Sequence, residues 1–199
     1  MYKILPYPKK FEYNESKKII FNQIKIGEVI VNKDFESKVE KLFNLKILSS
    51  EIFNFEAKNS VDFNQELSVN FYNNLSDYYK QIDDNLLELF KFQGYVIRVE
   101  NNNVNVYFEN YRGLIYALST LKQLVLFNKN DKIFSISNLI IIDYREIEKR
   151  SLSTTFAWYA GYGRVGFDMQ LWDFQQWKDF LDFCSDYKIT QLNLCMYGY

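Results

Sequence analysis

The chain has 199 residues, 48% of them hydrophobic, with 18 Phe and 16 Tyr, which is enough apolar material for a packed core and excludes a disordered polymer. A net charge of −1 and a pI of about 5.7, with no basic stripe, argue against a nucleic-acid partner. The absence of histidine excludes Ser-His-Asp and Cys-His machinery within these residues and removes the commonest metal ligand, so no metal or organic cofactor is expected.

The start, Met1-Tyr2-Lys3-Ile4-Leu5-Pro6, has no charged segment followed by a long apolar one, and no apolar run approaches the ~20 residues of a membrane helix. A cytoplasmic protein without membrane contact is the default. Cys184 and Cys195 have apolar neighbours and read as buried thiols rather than a disulfide framework.

In chain order, Lys18 to Phe21 and Lys25 to Val31 are β-branched and read as strands, with Gly27 pointing to a bulge. Asp34 is the expected cap of a helix through Val39, Leu42 and Phe43. Ile47 to Phe55 reads as a short strand or loop. Glu66 to Tyr72 alternates as a half-buried strand, and Ser76 to Phe92 has weak helical spacing. Residues 95–100 and 104–108 alternate on either side of Asn101-Asn102-Asn103, which predicts a β-hairpin. Tyr111 to Phe127 carries a helical stripe of Leu114, Leu118, Leu121 and Val125, and Ile133 to Ile142 reads as an interior strand. A β-α-β run follows: Arg150 to Trp158, then a helix from Trp172 to Tyr187, then Gln191 to Tyr197. On that helix Phe174, Trp177 and Phe180 are expected in a core. The order calls for parallel pairing, and a lone βαβ unit leaves apolar strand faces uncovered, so the chain reads as a fragment of a longer protein.

Gly94-Tyr95-Val96-Ile97-Arg98-Val99, then Val104-Asn105-Val106, then Gly113 to Leu124 resemble the non-catalytic domain before the barrel in β-N-acetylhexosaminidases of glycoside hydrolase family 20. Leu5 to Tyr13 is similar to that domain's beginning. Ile142-Asp143 with Arg150-Ser151, and Asp186-Tyr187-Lys188-Ile189, resemble the start of the family's barrel. The resemblance implies an α+β domain over 1–143, with an antiparallel-rich sheet and helices on one face. Residues 144–199 would then be the truncated start of a (β/α)₈ barrel. The barrel part departs from the family: Thr190, Cys195 and Gly198 stand where Asn, His and Asp are usual, and Thr155 and Trp158 where an Asp and a second Arg are usual. The aromatic, Gly-rich stretch from Trp158 to Arg164 looks more like α-glucuronidases or α-N-acetylglucosaminidases that share the accessory domain.

Glycoside hydrolysis needs a carboxyl acid at the leaving oxygen and stabilisation of an oxocarbenium-like centre. The family's Asp-Glu pair belongs to the fourth barrel strand, so no acid of this chain is nominated as catalytic. The adjacent pair Asp83-Asp84 reads as a solvated face, and Arg145, Glu146, Glu148 and Lys149 as surface charges. By resemblance Arg150 matches the Arg that binds sugar hydroxyls, with five fixed donors; its other reading is a structural ion pair. Trp158, Tyr159, Tyr162, Tyr197 and Tyr199 follow the ends of the two barrel-type strands, where aromatic faces stack on sugars; Trp158 and Tyr199 are the foremost of these, packing beneath loops being the alternative. The expected partner is a carbohydrate carrying a terminal amino sugar. The alternatives are another glycosidase with the same front domain and a non-catalytic carbohydrate-binding or scaffold protein.

Overall fold

A computed structural model describes residues 2, 4–49, 65–128, 133–157 and 172–197, without the side chains of 154–157 and 195–197. Chain packing divides it into residues 1–146 and 147–199.

In the first unit β1 (Lys10–Phe21) and β2 (Gln23–Ile30) are followed by α1 (Lys33–Phe43), β3 (Glu66–Tyr72), α2 (Leu87–Gln93), β4 (Tyr95–Glu100), β5 (Asn103–Phe108), α3 (Tyr111–Leu124), β6 (Leu126–Asn128) and β7 (Ile133–Asp143). The strands pair in the order β1-β7-β4-β5-β3-β2, with β6 also on β7. The β1–β7, β7–β4, β4–β5 and β6–β7 pairs are antiparallel, whereas β5–β3 and β3–β2 are parallel. β1 and β2 are the first and last strands of this order, yet only Asn22 separates them. Consecutive Cα atoms lie about 3.8 Å apart, so the sheet must coil until its two edges meet at that point.

The hairpin turn is two residues long, with Asn101 at φ 49° and Asn102 at φ 62°. Two left-handed residues match the right-handed twist of the flanking strands, and asparagine tolerates that conformation. Asn103, expected in the turn, therefore pairs with Glu100 instead. Gly27 does lie in a bulge, between the Ile26 and Val29 pairings on β3. Its missing Cβ leaves room for the Asn70 side chain, whose Oδ1 accepts from the Glu28 N–H at 2.8 Å.

Alternation divides the core between the faces of the sheet. Ile97, Val106 and Phe71 lie with α1 and α3 in the main core. There Phe43 meets Phe71 edge-on at 6.0 Å and Phe35 meets Phe108 at 5.6 Å. Val96 and Ile142 face the other way and pack with Leu75, Ile82 and Phe90. The expectation of helices on one face is corrected by that second cluster: α2 and the 3₁₀ turns at 76–81 and 84–86 cover part of the opposite face. Asp83 caps the second turn, accepting from the Asn85 N–H at 2.9 Å.

Three boundaries differ from the sequence reading. Asn32, not Asp34, precedes α1, and Asp34 lies in the first turn, where a carboxylate suits the positive end of the helix dipole. Asn44–Leu48 continues α1 as a π-helical turn that buries Ile47, rather than starting a strand; residues 50–64 lie outside the described part. α3 ends at Leu124, because Leu126–Asn128 finds the edge of β7 at residues 133–135, beyond the reach of β4 at 139–143.

Gln93 is fully buried, and neither its Oε1 nor its Nε2 has a hydrogen-bond partner among the described residues. A buried unmet polar group costs about 1–3 kcal/mol. Gln93→Met, close in volume, is therefore expected to raise the melting temperature, which a thermal unfolding curve reads directly. A drop would show that the amide is satisfied.

The second unit contains β8 (Ser151–Ala157), α4 (Phe174–Asp186) and β9 (Gln191–Tyr197), with β8 and β9 parallel. Asp173 and Gln176 form a reciprocal cap at the start of α4, at 2.8 and 2.9 Å. Its end is a Schellman motif: Lys188 at φ 60° donates its N–H to the Ser185 carbonyl at 3.1 Å, and Ile189 donates to the Cys184 carbonyl at 2.8 Å. The expected core stripe of α4 is corrected in part. Phe174 is 84% exposed, while Trp177 and Phe180 are half-buried and meet Trp172 edge-on at 5.3 and 5.2 Å. Cys184 is buried and not in a disulfide, and burial pushes its thiol pKa up; the side chain of Cys195 lies outside the described part.

Candidate functional site

The foremost sequence candidates are placed by the second unit. Ser151 pairs with Gln191 and Ala157 with Tyr197, so β8 and β9 run in register. Arg150 stands just before β8, at the opposite end from Ala157 and Tyr197. Seven residues of strand at about 3.3 Å each separate the two ends by roughly 23 Å. Trp158, Tyr159, Tyr162 and Tyr199 lie outside the described residues, as does the side chain of Tyr197.

The backbone of Arg150 is clamped by Thr190. Its N–H donates to Thr190 Oγ1 at 2.8 Å, and its carbonyl accepts from the N–H groups of Thr190 and Gln191 at 2.9 and 3.2 Å. The Thr190 hydroxyl proton returns to the same carbonyl at 3.3 Å. Thr190 thus ties the start of β9 to the start of β8, a task for a β-branched hydroxyl. The Nε and Nη2 atoms of Arg150 are closed off from solvent.

The first unit holds further polar features that the sequence alone does not show. The buried Tyr95 hydroxyl donates to Asp143 at 2.8 Å and lies 2.6 Å from Thr120 Oγ1, and since its one proton goes to Asp143, Thr120 is the donor in the second contact. Arg145, expected at the surface, is 5% exposed and lies 5.2 Å from the centre of the Tyr116 ring. The apolar stem and flat guanidinium of Arg make that burial tolerable over an aromatic face. A cavity of about 220 Å³ is lined by Tyr2, Tyr13, Glu15, Lys18, Leu126 and Ser137. Its sequence signal is the polar run Asn14 to Lys18, which interrupts the β1 pattern. The Tyr13 phenol is held above its ordinary pKa, first by its hydrogen bond to Glu15.

Among the described residues there is no group of three or more His, Cys, Asp or Glu side chains able to hold a metal ion, and no helix is long and apolar enough to cross a membrane.

No curated protein matches the chain. Among solved structures, it is similar to an exo-β-N-acetylglucosaminidase of Vibrio harveyi in complex with N-acetylglucosamine, at TM-score 0.61 and 14% identity, over 96% of this chain and 25% of that one. A β-N-acetylhexosaminidase of Bacteroides fragilis is similar at TM-score 0.59 and 19% identity, over 96% and 32%. A chitobiase of Flavobacterium johnsoniae is similar at TM-score 0.56 and 18% identity, over 96% and 26%. At these identities the likeness is one of fold, and the chain spans between a quarter and a third of the length of each structure. The family model for glycosyl hydrolase family 20, domain 2, matches residues 1–144, so the chain belongs to that family through this domain.

Proposed function

We propose that this chain is the front portion of a glycoside hydrolase that removes terminal N-acetylhexosamine. The observation that carries the reading is the family 20 domain over residues 1–144, followed by a parallel β-α-β unit. In this reading the accessory domain ends near Asp143 and β8-α4-β9 opens a (β/α)₈ barrel. The parent works with retention, using the substrate's own acetamido oxygen as nucleophile. In this reading Trp158 and Tyr199 contact the sugar at the C-terminal ends of the strands and Arg150 approaches it from beneath; the carboxylates that protonate the leaving oxygen and orient the acetamido group belong to later strands. The 199 residues alone are then inactive.

A second reading is favoured by one observation. Cys195 and Gly198 stand where the family's barrel usually has His and Asp. That suits an accessory domain joined to another glycosidase type, or a barrel that binds glycans without cleaving them.

The test is turnover of chromogenic N-acetyl-β-hexosaminides, α-glucuronides and α-N-acetylglucosaminides, by the protein from the full open frame and by the 199-residue chain. Turnover of the hexosaminide by the longer protein alone is expected. Cleavage of an α-glucuronide or α-N-acetylglucosaminide instead, or of nothing, would replace this reading with the second one, and genuine turnover by the chain alone would end the fragment reading.

A further inference from the structure

The interruption in β1 builds a concave feature that the sheet does not require. Asn14 pairs with Asn138 and Lys18 with Ser137, so Glu15, Ser16 and Lys17 have no counterpart on β7. Bulges that re-aim side chains are common next to functional sites. This one is closed locally, since Asn14 Oδ1 accepts from the Ser16 N–H at 3.0 Å and from its hydroxyl at 2.7 Å. One wall is fixed as well: the Ser137 N–H donates to the buried Tyr2 hydroxyl at 2.6 Å. An aromatic strip leads along β1 to the cavity. Tyr7 and Phe11 are 6.1 Å apart, Phe11 and Tyr13 stack at 5.0 Å, and Tyr13 meets Tyr2 edge-on at 5.6 Å. Tyr7 and Tyr13 are 67% and 36% exposed, so the strip is open to solvent.

The lining selects a ligand class. Glu15 offers acceptors, Lys18 offers donors, the tyrosine hydroxyls can do both, and Leu126 with the rings supplies apolar surface. The single acid and single ammonium balance, so a ligand bearing either charge meets repulsion from one as well as attraction to the other. A neutral ring with hydroxyls on its rim and C–H groups on its faces satisfies all of these groups. A volume of about 220 Å³ is below the ~300–1,000 Å³ of drug-sized sites, which suits one such ring. We propose that the β1 cavity is a non-catalytic binding site for a single neutral pyranose, held by Tyr13, Glu15 and Lys18. The choice of sugars as the ligand class rests in part on the hydrolase reading; the cavity and its charge balance do not.

Amide correlation spectra of the ¹⁵N-labelled 199-residue chain test this. N-acetylglucosamine and glucose are the neutral probes, glucuronate and glucosamine the charged ones. The neutral sugars are expected to shift the amides of Ser16, Lys18, Leu126 and Ser137, with Kd on the order of 1 mM for so small a ligand. The charged sugars should bind more weakly than the neutral ones, because a charged group loses hydration on entering a site where attraction and repulsion offset each other. Tyr13→Ala should abolish the shifts while leaving distant amides in place. Glu15→Gln, at an exposed position, should reduce the discrimination against glucuronate. The proposal is overturned by absence of shifts up to about 50 mM sugar, by shifts that survive Tyr13→Ala, or by charged sugars binding as well as neutral ones. If the chain binds no sugar while the longer parent cleaves hexosaminides, the cavity proposal alone falls; sugar binding by a chain whose parent cleaves nothing removes the hydrolase reading alone.

Discussion

Gly113→Ala is expected to lower the melting temperature, although the same change in an exposed helix interior ordinarily adds up to about 1 kcal/mol of stability. Gly113 is in the first turn of α3, where that helix crosses the start of β4. A methyl group there would run into the carbonyl oxygen of Gly94 and press on the Phe108 side chain. Neither neighbour can yield easily. Gly94 donates to the Phe90 carbonyl at 2.6 Å, and the next residue, Tyr95, is paired with both Phe108 and Asp143. Overpacking of this kind costs roughly 1–3 kcal/mol, and at ~2–4 °C per kcal/mol for a chain of this size the midpoint should fall by about 2–12 °C. A rise in midpoint for Gly113→Ala would mean that α3 stands further from β4 than described.

The difference between what the sequence shows and what the fold adds has physical causes. The β4-β5 hairpin is legible because apolar alternation at residues 95–99 and 104–108 and a pair of turn asparagines point to one answer. α3 is legible for its stripe but not for its end, since its stop depends on β6 meeting an edge of β7 far along the chain. The parallel pairing of β2 with β3, and the approach of the two sheet edges at Asn22, leave no local pattern. The sites divide in the same way. Arg150 stands out by its neighbourhood in sequence, whereas Tyr2, Glu15 and Ser137 come together only through the fold. Helical spacing points Phe174 to a core, yet spacing tells which residues share a face and not whether anything covers it; at 84% exposure it is uncovered in this chain.

If the proposed function holds, Arg150→Lys in the longer parent is expected to reduce kcat/KM for a terminal hexosaminide by about 10- to 150-fold. Arg150 stands at the end of β8 opposite the strand C-termini, where barrel sites open. It therefore meets a sugar from beneath or not at all. A guanidinium holds two neighbouring hydroxyls with a fixed fork, and lysine retains the charge but not the fork. Hydrogen bonds to charged groups are worth about 1.5–3 kcal/mol, and the rate loss follows if they persist in the transition state. The backbone contacts that clamp this residue to Thr190 and Gln191 survive the substitution. A structural arginine behaves in the opposite way: with Nε and Nη2 closed off from solvent, its replacement would lower the melting temperature and leave the specific activity of the folded fraction intact. Measuring kcat/KM and thermal midpoint on the same preparation separates the two. Parental kcat/KM in the lysine variant, or activity lost only in step with the folded fraction, would move Arg150 from the sugar site to the scaffold beneath it.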